Sequence, residues 1–182
     1  SAREAVARTM DAVKVSPAGP TAGVVSAEAL REMTEIVSEV REAIGPHVDL
    51  AIDLHGRLTP AASRRAVHAL APFDPFFIEE PCLPDGSASH LADLRALRTA
   101  QPVAIATGER LRTAHSFAEH LLPTPVVDII QPDISMVGGI RATVEIGAMA
   151  SAAQVSMAPH CPYGPVQFAA SMQVAATSPS HL

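Results

Sequence analysis

The chain contains 182 residues, of which 13 are Lys or Arg and 19 are Asp or Glu, so its formal net charge is −6. This acidic balance argues against a nucleic-acid partner, and no basic cluster points to a membrane surface. The composition is 48% hydrophobic and 3% aromatic, which excludes general disorder. No apolar run approaches the roughly 20 residues that span a bilayer. We therefore expect a globular protein of one domain with neither nucleic-acid nor membrane partners.

The cysteines and histidines do not follow the spacings of a zinc site. Cys82 and Cys161 also form no disulfide framework, which is typical of reduced thiols and predicts a cytoplasmic location. His115 and His120 lie five residues apart, so they do not face each other on a helix. We expect both of these histidines on the surface.

Short apolar, β-branched segments alternate with longer segments of helical periodicity. The predicted strands are Ala12–Val15, Val48–Leu54, Phe76–Ile78, Val103–Thr107, Val126–Gln131 and Val155–Ala158. The predicted helices are Ser26–Ile44, Thr59–Leu70, Ala88–Ala100, Ser116–Leu122, Gly139–Ala153 and Val166–Ala176. Strands separated by helices in this way indicate βαβ units and a parallel sheet.

The first helix illustrates the pattern. Ser26 can cap its amino end, Glu28 favours the first turn, and Gly45 with Pro46 ends it. Apolar residues at steps of three and four form one stripe, which consists of Leu30, Met33, Ile36, Val37, Val40 and Ile44. We expect this stripe to face the core.

An ionisable residue stands at or just after the end of five successive strands. These residues are Asp53, Glu79, Glu109, Asp133 and His160, separated by 26, 30, 24 and 27 residues. Each separation is about one βα unit. In a (β/α)8 barrel such ends converge on one face, whereas in a doubly wound sheet only strands beside the switch point share a ligand. Five positions favour the barrel; the alternative is that each is a solvated strand cap.

Carboxylates gathered at one face need a counter-charge. Three of them within about 4 Å would repel by several kcal/mol per pair at an effective dielectric constant near 20. A divalent cation removes this repulsion, and all-oxygen ligation suits Mg²⁺ or Mn²⁺. Two histidines accompany the carboxylates. His55 lies two residues after Asp53, so both side chains point the same way on an extended strand end, and Asp133 is placed to hold the His160 imidazole.

Six short blocks carry a resemblance to a known family. They are Asp53-Leu54-His55-Gly56-Arg57, Phe77-Ile78-Glu79-Glu80-Pro81, Thr107-Gly108-Glu109-Arg110, Ile130-Gln131-Pro132-Asp133-Ile134-Ser135, Gly138-Gly139-Ile140 and Ala158-Pro159-His160-Cys161-Pro162. In this order and at this spacing, they resemble the enolase superfamily. The resemblance is to its mandelate racemase/muconate lactonizing enzyme-like group, and within that most to the D-galactonate dehydratases. The blocks span nearly the whole chain.

The resemblance implies a site and a reaction. The implied Mg²⁺ ligands are Asp53, Glu79 and Glu109, with Mn²⁺ as an alternative ion. His160, paired with Asp133, matches the base that removes the proton α to a carboxylate, and His55 matches the acid that helps the β-hydroxyl leave as water. The implied activity is a carbon–oxygen lyase that converts an aldonate, through an enediolate, into a 2-keto-3-deoxy acid.

Lys14 and Arg110 are candidate substrate-binding residues. In the racemase pattern a Lys-x-Lys on the first strand supplies a second base, but here the strand reads Val13-Lys14-Val15-Ser16. The second lysine is thus replaced by serine, which favours dehydration. Lys14 could still point at the substrate carboxylate, with a strand-end salt bridge as the alternative.

The resemblance also predicts what lies outside these residues. Residues 1–182 match about six βα units, an incomplete enolase-type C-terminal barrel domain without the N-terminal α+β capping domain and the final barrel strand. The substrate class implied is a small sugar acid, such as galactonate, gluconate, arabinonate or mannonate, and the full-length parent is expected to be a homo-oligomer. The alternatives are a racemase or epimerase on the same scaffold and a truncated, non-catalytic remnant.

Overall fold

The computed structural model describes residue 4 and residues 10–19, 24–83 and 88–182. Within them the strands are β1 (Ala12–Val15), β2 (Asp49–Asp53), β3 (Phe77–Glu79), β4 (Ala104–Thr107), β5 (Ile129–Ile130) and β6 (Ser156–Met157). The helices are α1 (Ala27–Ile44), α2 (Pro60–Leu70), α3 (Ala88–Ala100), α4 (Ala114–Leu121), α5 (Ile140–Ala152) and α6 (Pro165–Thr177), with a 3₁₀ turn at Ala71–Phe73. The strands pair in the order of the chain. The predicted α/β alternation is confirmed.

Hydroxyl side chains set the amino ends of three helices. Ser26 accepts from the Ala29 amide at 3.0 Å, Thr59 from Ala62 at 3.4 Å, and Thr113 from Ser116 at 3.1 Å. Each contact satisfies an amide of the first turn that has no partner within its helix. The Thr113 cap explains why α4 begins at Ala114, two residues before the predicted start. No helix in the described part of the chain is long and apolar enough to cross a membrane.

The later strands are shorter than predicted. The apolar run that predicts a strand from Val126 yields a strand only at Ile129 and Ile130. Val126 and Val127 are fully buried, but the Val126 amide donates to the His120 carbonyl at 2.9 Å instead of to a neighbouring strand. The first residues of this run are therefore apolar because they are buried in the core, and not because they belong to a strand.

The chain divides into two compact units, each with its own core. The N-terminal unit comprises residues 1–83 and 97–105. In it, β1 pairs with β2 and β2 with β3, both in parallel. The core-facing stripe of α1 is confirmed at Met33, Val37 and Ile44, but Ile36 lies at its edge and is exposed. Leu50 and Ile52 of β2 are fully buried, so this strand is held firmly up to its carboxyl end.

The C-terminal unit comprises residues 84–96 and 106–182. In it, the end of β4 pairs with β5, and β5 pairs with β6, again in parallel. Beyond β6, an isolated parallel bridge joins Met157 to His181. The Met157 amide donates to the Ser180 carbonyl at 2.7 Å, and the Leu182 amide donates back to Met157 at 3.1 Å. The last residues therefore lie alongside β6 in strand register.

The expectation that His115 and His120 both lie on the surface is wrong for His120. The His115 side chain is 85% exposed, whereas His120 is only 3% exposed. His120 Nδ1 contacts the Ser116 carbonyl at 2.8 Å, and its ring packs edge-on against His90 with centroids 6.0 Å apart. Burial lowers the pKa of His120 below its ordinary value of 6.5, and the Ser116 carbonyl and Glu119 oppose this shift only in part.

Candidate active site

In the N-terminal unit, the carboxyl ends of β2 and β3 place two carboxylates side by side. Asp53 and Glu79 are register partners, each the last residue of its strand. The pairing continues past the strands, since the Leu54 amide donates to the Glu79 carbonyl at 3.0 Å and the Gly56 amide to Glu80 at 2.9 Å. Both carboxylates are buried, so the sheet itself holds two negative charges next to each other.

Lys14 supplies a counter-charge to one of them. Its Nζ donates to Oε2 of Glu79 at 2.7 Å, and the Lys14 side chain is 46% exposed while that of Glu79 is fully buried. Oε1 of Glu79 is also buried but meets no hydrogen-bond donor within the described residues. A buried carboxylate oxygen without a donor is costly, and it is available to a further cation.

Asp53 holds His55 through a tight local turn. Its Oδ1 accepts from the His55 amide at 2.7 Å, and its Oδ2 lies 3.2 Å from His55 Nδ1. The prediction that these side chains lie together is confirmed, but its reason was wrong. The strand ends at Asp53, and His55 has a left-handed backbone with φ 56°, so a turn rather than an extended pleat joins them.

The serine that stands in the place of a second lysine has a structural contact. Ser16 Oγ donates to the Asp53 carbonyl at 3.0 Å. The hydroxyl thus fixes the last peptide of β2, from which the Asp53 side chain projects. This contact gives Ser16 a role in placing a carboxylate.

In the C-terminal unit, a glycine lets Glu109 leave the end of β4. Gly108 has φ 128°, and a Cβ there would lie 2.8 Å from the Phe117 ring and 3.1 Å from the Gln131 amide nitrogen. Only glycine fits this position. The buried Glu109 carboxylate then meets two side chains, with Oε1 3.1 Å from Arg110 Nη2 and Oε2 3.2 Å from His160 Nε2.

The predicted pairing of Asp133 with His160 is present. His160 Nδ1 lies 2.9 Å from Oδ2 of the fully buried Asp133. A parallel bridge between the two residues extends the pairing of β5 and β6, and the His160 amide donates to the Pro132 carbonyl at 3.2 Å. The backbone pairing and the Asp133 side chain therefore both fix the position of the imidazole, and its Nε2 faces Glu109.

Gln167 is the residue of this cluster that sequence reasoning missed. Its amide Nε2 donates to Oδ1 of Asp133 at 2.9 Å and to the His160 carbonyl at 3.3 Å, while its Oε1 accepts from the Tyr163 amide at 2.9 Å. A glutamine in the first turn of a helix is an unremarkable sequence feature. The only available signal was its place seven residues after a candidate base.

The structure thus gathers the predicted residues into two groups. The N-terminal unit brings together Lys14 with Glu79 and Asp53 with His55, whereas the C-terminal unit brings together Arg110, Glu109, His160 and Asp133. Across the described residues, no set of three His, Cys, Asp or Glu side chains is close enough to hold a metal ion. The predicted substrate-binding residues, Lys14 and Arg110, each form an ion pair with a carboxylate of their own unit.

Comparisons with known proteins agree with this reading of the fold. The family model described as "Enolase C-terminal domain-like" matches residues 1–182. D-gluconate dehydratase of Thermoproteus tenax is 37% identical over 98% of this chain and 35% of its own length. D-galactonate dehydratase of Xanthomonas euvesicatoria pv. vesicatoria is 38% identical over 82% of this chain and 38% of its own length.

A solved structure shows the same arrangement of strands and helices. The mandelate racemase/muconate lactonizing enzyme from Sulfitobacter sp. superimposes with a TM-score of 0.91 at 36% identity, over 100% of this chain and 46% of that one. The present chain therefore spans between a third and a half of the length of these relatives. It belongs to the enolase C-terminal domain-like family, which confirms the resemblance seen in the sequence blocks.

Proposed function

We propose that this member of the enolase C-terminal domain-like family carries the catalytic residues of an acid-sugar dehydratase, which removes water from an aldonate to give a 2-keto-3-deoxy acid. One observation supports this above the others. His160 is oriented by the buried Asp133 through Nδ1 and presents Nε2 beside a second carboxylate, Glu109. A histidine oriented by a buried carboxylate is suited to accept a proton from carbon.

The proposed reaction uses two histidines, His160 as the base and His55 as the acid. His160 Nε2 removes the proton α to the substrate carboxylate, and the electron pair left on carbon moves into that carboxylate to give an enediolate. The pair then returns to form a double bond between the α- and β-carbons while the β-hydroxyl departs as water with a proton from His55, and the resulting enol rearranges to the 2-keto acid. Because the α-proton of a carboxylate is very weakly acidic, the base must be held within hydrogen-bond reach of it.

We propose Asp53, Glu79 and Glu109 as the ligands of a Mg²⁺ ion, with Mn²⁺ as the second choice. The donors fit a hard cation, since all are carboxylate oxygens and Oε1 of Glu79 is buried without a donor in the described part of the chain. When bound, Mg²⁺ supplies positive charge that stabilises the charge developing on the substrate carboxylate. The three residues are assigned from the family resemblance.

The contact made by Lys14 favours dehydration over epimerisation. A two-base epimerase needs a second proton acceptor opposite His160, and Lys14 is the candidate. Its Nζ lies 2.7 Å from a buried carboxylate oxygen, where the positive charge of an ammonium is required. An ammonium in this position can attract a substrate carboxylate but cannot accept a proton.

The activity is tested with a panel of free aldonates in Mg²⁺ buffer, assayed on the longest natural form of the protein. D-gluconate and D-galactonate head the panel, because two relatives are named for them. Formation of a 2-keto-3-deoxy acid, followed by proton NMR, supports the proposal. Exchange of the α-proton without water loss from any aldonate would replace it with an epimerase.

Metal binding is tested by thermal unfolding with and without Mg²⁺. An ion at 100 times its dissociation constant adds about 2.7 kcal/mol to the free energy of unfolding. We expect Mg²⁺ to raise the melting temperature of the wild-type chain and not that of Glu79→Gln. An equal rise in both proteins would remove Glu79 from the ligand set.

On the family resemblance alone, we also propose that the full-length protein is a homo-oligomer, which sedimentation would test.

A further inference from the structure

We infer that Gln167 is a positioning residue for the proton-transfer pair of Asp133 and His160. It lies in the first turn of α6, outside the strand ends that carry the predicted site. Its side chain is nearly fully buried and contacts both members of the pair. The role in catalysis rests on the proposed function, whereas the role in orienting the imidazole does not.

The contacts of Gln167 allow only one orientation of its amide. Two acceptors, Oδ1 of Asp133 and the His160 carbonyl, face Nε2, and one donor, the Tyr163 amide, faces Oε1. Exchanging the nitrogen and oxygen would set acceptor against acceptor and donor against donor. The glutamine therefore acts as a fixed clamp between the Asp133 side chain and the segment that follows His160.

This clamp determines which oxygen of Asp133 meets His160. Oδ1 accepts from the Ser135 amide at 2.8 Å and from Gln167 at 2.9 Å, which leaves Oδ2 for His160 Nδ1. Because Oδ2 is an acceptor, Nδ1 must carry a proton. Nδ1 is therefore the donor to Asp133, and Nε2, which faces Glu109, is the nitrogen left for the proposed proton transfer.

The Ser135 amide alone would not hold the carboxylate in the same way. It is two residues from Asp133 in the chain, so it moves with the turn that carries the side chain. Gln167 approaches from 34 residues away and contacts the His160 carbonyl as well. It is thus the side chain that ties the acceptor and the imidazole to each other through a separate element.

Two variants and one matched control separate positioning from packing. Gln167→Met keeps the volume of the side chain and removes its polar contacts. Gln167→Glu keeps an acceptor for the Tyr163 amide but sets a carboxylate oxygen against Oδ1 of Asp133. Gln173→Leu lies on the exposed side of the same helix and controls for substitution within α6. Using two variants ensures that the test does not depend on the folding of one.

The first readout is the hydrogen bond between His160 Nδ1 and Asp133, measured on the full chain by proton–nitrogen NMR of the imidazole ring. The wild type and Gln173→Leu are expected to show a slowly exchanging Nδ1 proton. In the Gln167 variants we expect this proton to exchange faster with solvent or to be lost from the spectrum. An unchanged Nδ1 proton signal in both Gln167 variants would overturn the inference, whatever the activity of the protein.

The second readout is the kinetics of aldonate dehydration. Loss of an outer partner that orients a metal ligand typically costs 10- to 100-fold in activity, and we expect the partner of a catalytic base to lie at the lower end of this range. We expect kcat to fall about 10-fold in Gln167→Met and further in Gln167→Glu, with KM within about twofold of the wild type. A kcat equal to that of Gln173→Leu would overturn the inference. A changed exchange rate of the Nδ1 proton in a protein that dehydrates no aldonate would instead overturn the proposed function and leave the orienting role in place.

Discussion

The two histidines at the strand ends are held in different ways. His55 in the N-terminal unit is fastened by Asp53, two residues away in the chain, and its side chain is 46% exposed. His160 in the C-terminal unit contacts, through its two ring nitrogens, carboxylates that follow two other strands, and its side chain is 20% exposed. The Asp53 contact of His55 thus lies within one turn of the chain, whereas the contacts of His160 join it to two distant segments. These contacts suit His160 to act as a fixed base, and the greater exposure of the His55 side chain suits it to follow a leaving group.

The supporting aspartates show where this difference arises. Asp53 and Asp133 each accept a hydrogen bond from the amide two residues later, so both begin with the same local turn. Asp53 then turns its second oxygen back to His55 in that turn. Asp133 reaches across to His160 on the next strand and is braced by Gln167. The Asp133–His160 contact is therefore braced by a residue distant in the chain.

The largest effect is expected from His160→Gln. Removal of the proton acceptor should lower kcat for aldonate dehydration by about 10³-fold, because general-base catalysis typically contributes 10²- to 10⁴-fold. His115→Gln makes the same substitution at an exposed position and should retain full turnover. The measurement is steady-state formation of the 2-keto acid. A loss below about tenfold would show that His160 is not the base.

A substitution at Lys14 tests the charge balance of the N-terminal unit. Lys14→Met leaves the buried Glu79 without its cation, so without Mg²⁺ the free energy of unfolding should fall by about 1–3 kcal/mol. That fall lowers the melting temperature by several degrees, and added Mg²⁺ should restore more stability in the variant than in the wild type.

The matched control for Lys14 is Arg31→Met. Arg31 pairs with Glu35 on the exposed surface of α1 at 3.3 Å, and such pairs contribute little to stability. Calorimetry of both variants should therefore show a clear loss for Lys14→Met and a small one for Arg31→Met. Equal losses would mean that the contact between Lys14 and Glu79 contributes no more to stability than an exposed ion pair does.

The smallest effect is expected from the buried His120. Because its pKa lies below 6.5 in the folded chain, the unfolded state takes up a proton first as the pH falls. Stability therefore falls on account of His120 as the pH decreases through 6.5. At higher pH, His120 gives no dependence of stability on pH. His120→Gln should decrease the loss of melting temperature between about pH 7.5 and about pH 5.5 by about 2 °C. The exposed His115→Gln should not change that loss.

Much of the fold could be predicted because each element carries its own local signal. The helix α3 has the predicted bounds, and α1 differs only by its cap, since apolar periodicity and Ser26 lie within one segment. The predicted start of β5 was too early, because the buried Val126 and Val127 are apolar and β-branched as strand residues are. His120 was misplaced because helical spacing shows which residues share a face, but not which face is covered by the rest of the unit.

The site could be predicted only where its residues follow strands directly. Asp133 and His160 meet because neighbouring parallel strands bring their ends together. The left-handed backbone of His55 could not be foreseen, because its cause is a turn closed by the Asp53 side chain rather than a glycine. Gln167 reaches the site from a helix, and no strand-end rule includes such a residue.

The central claim is that His160 removes the α-proton and His55 assists departure of the hydroxyl. The most direct test follows deuterium exchange at the α-carbon and water loss together, in D₂O with Mg²⁺ and an aldonate that the wild type dehydrates. His55→Gln should still exchange the α-proton while losing dehydration, whereas His160→Gln should lose both. Exchange that survives in His160→Gln, or that disappears in His55→Gln alone, would contradict this division of roles.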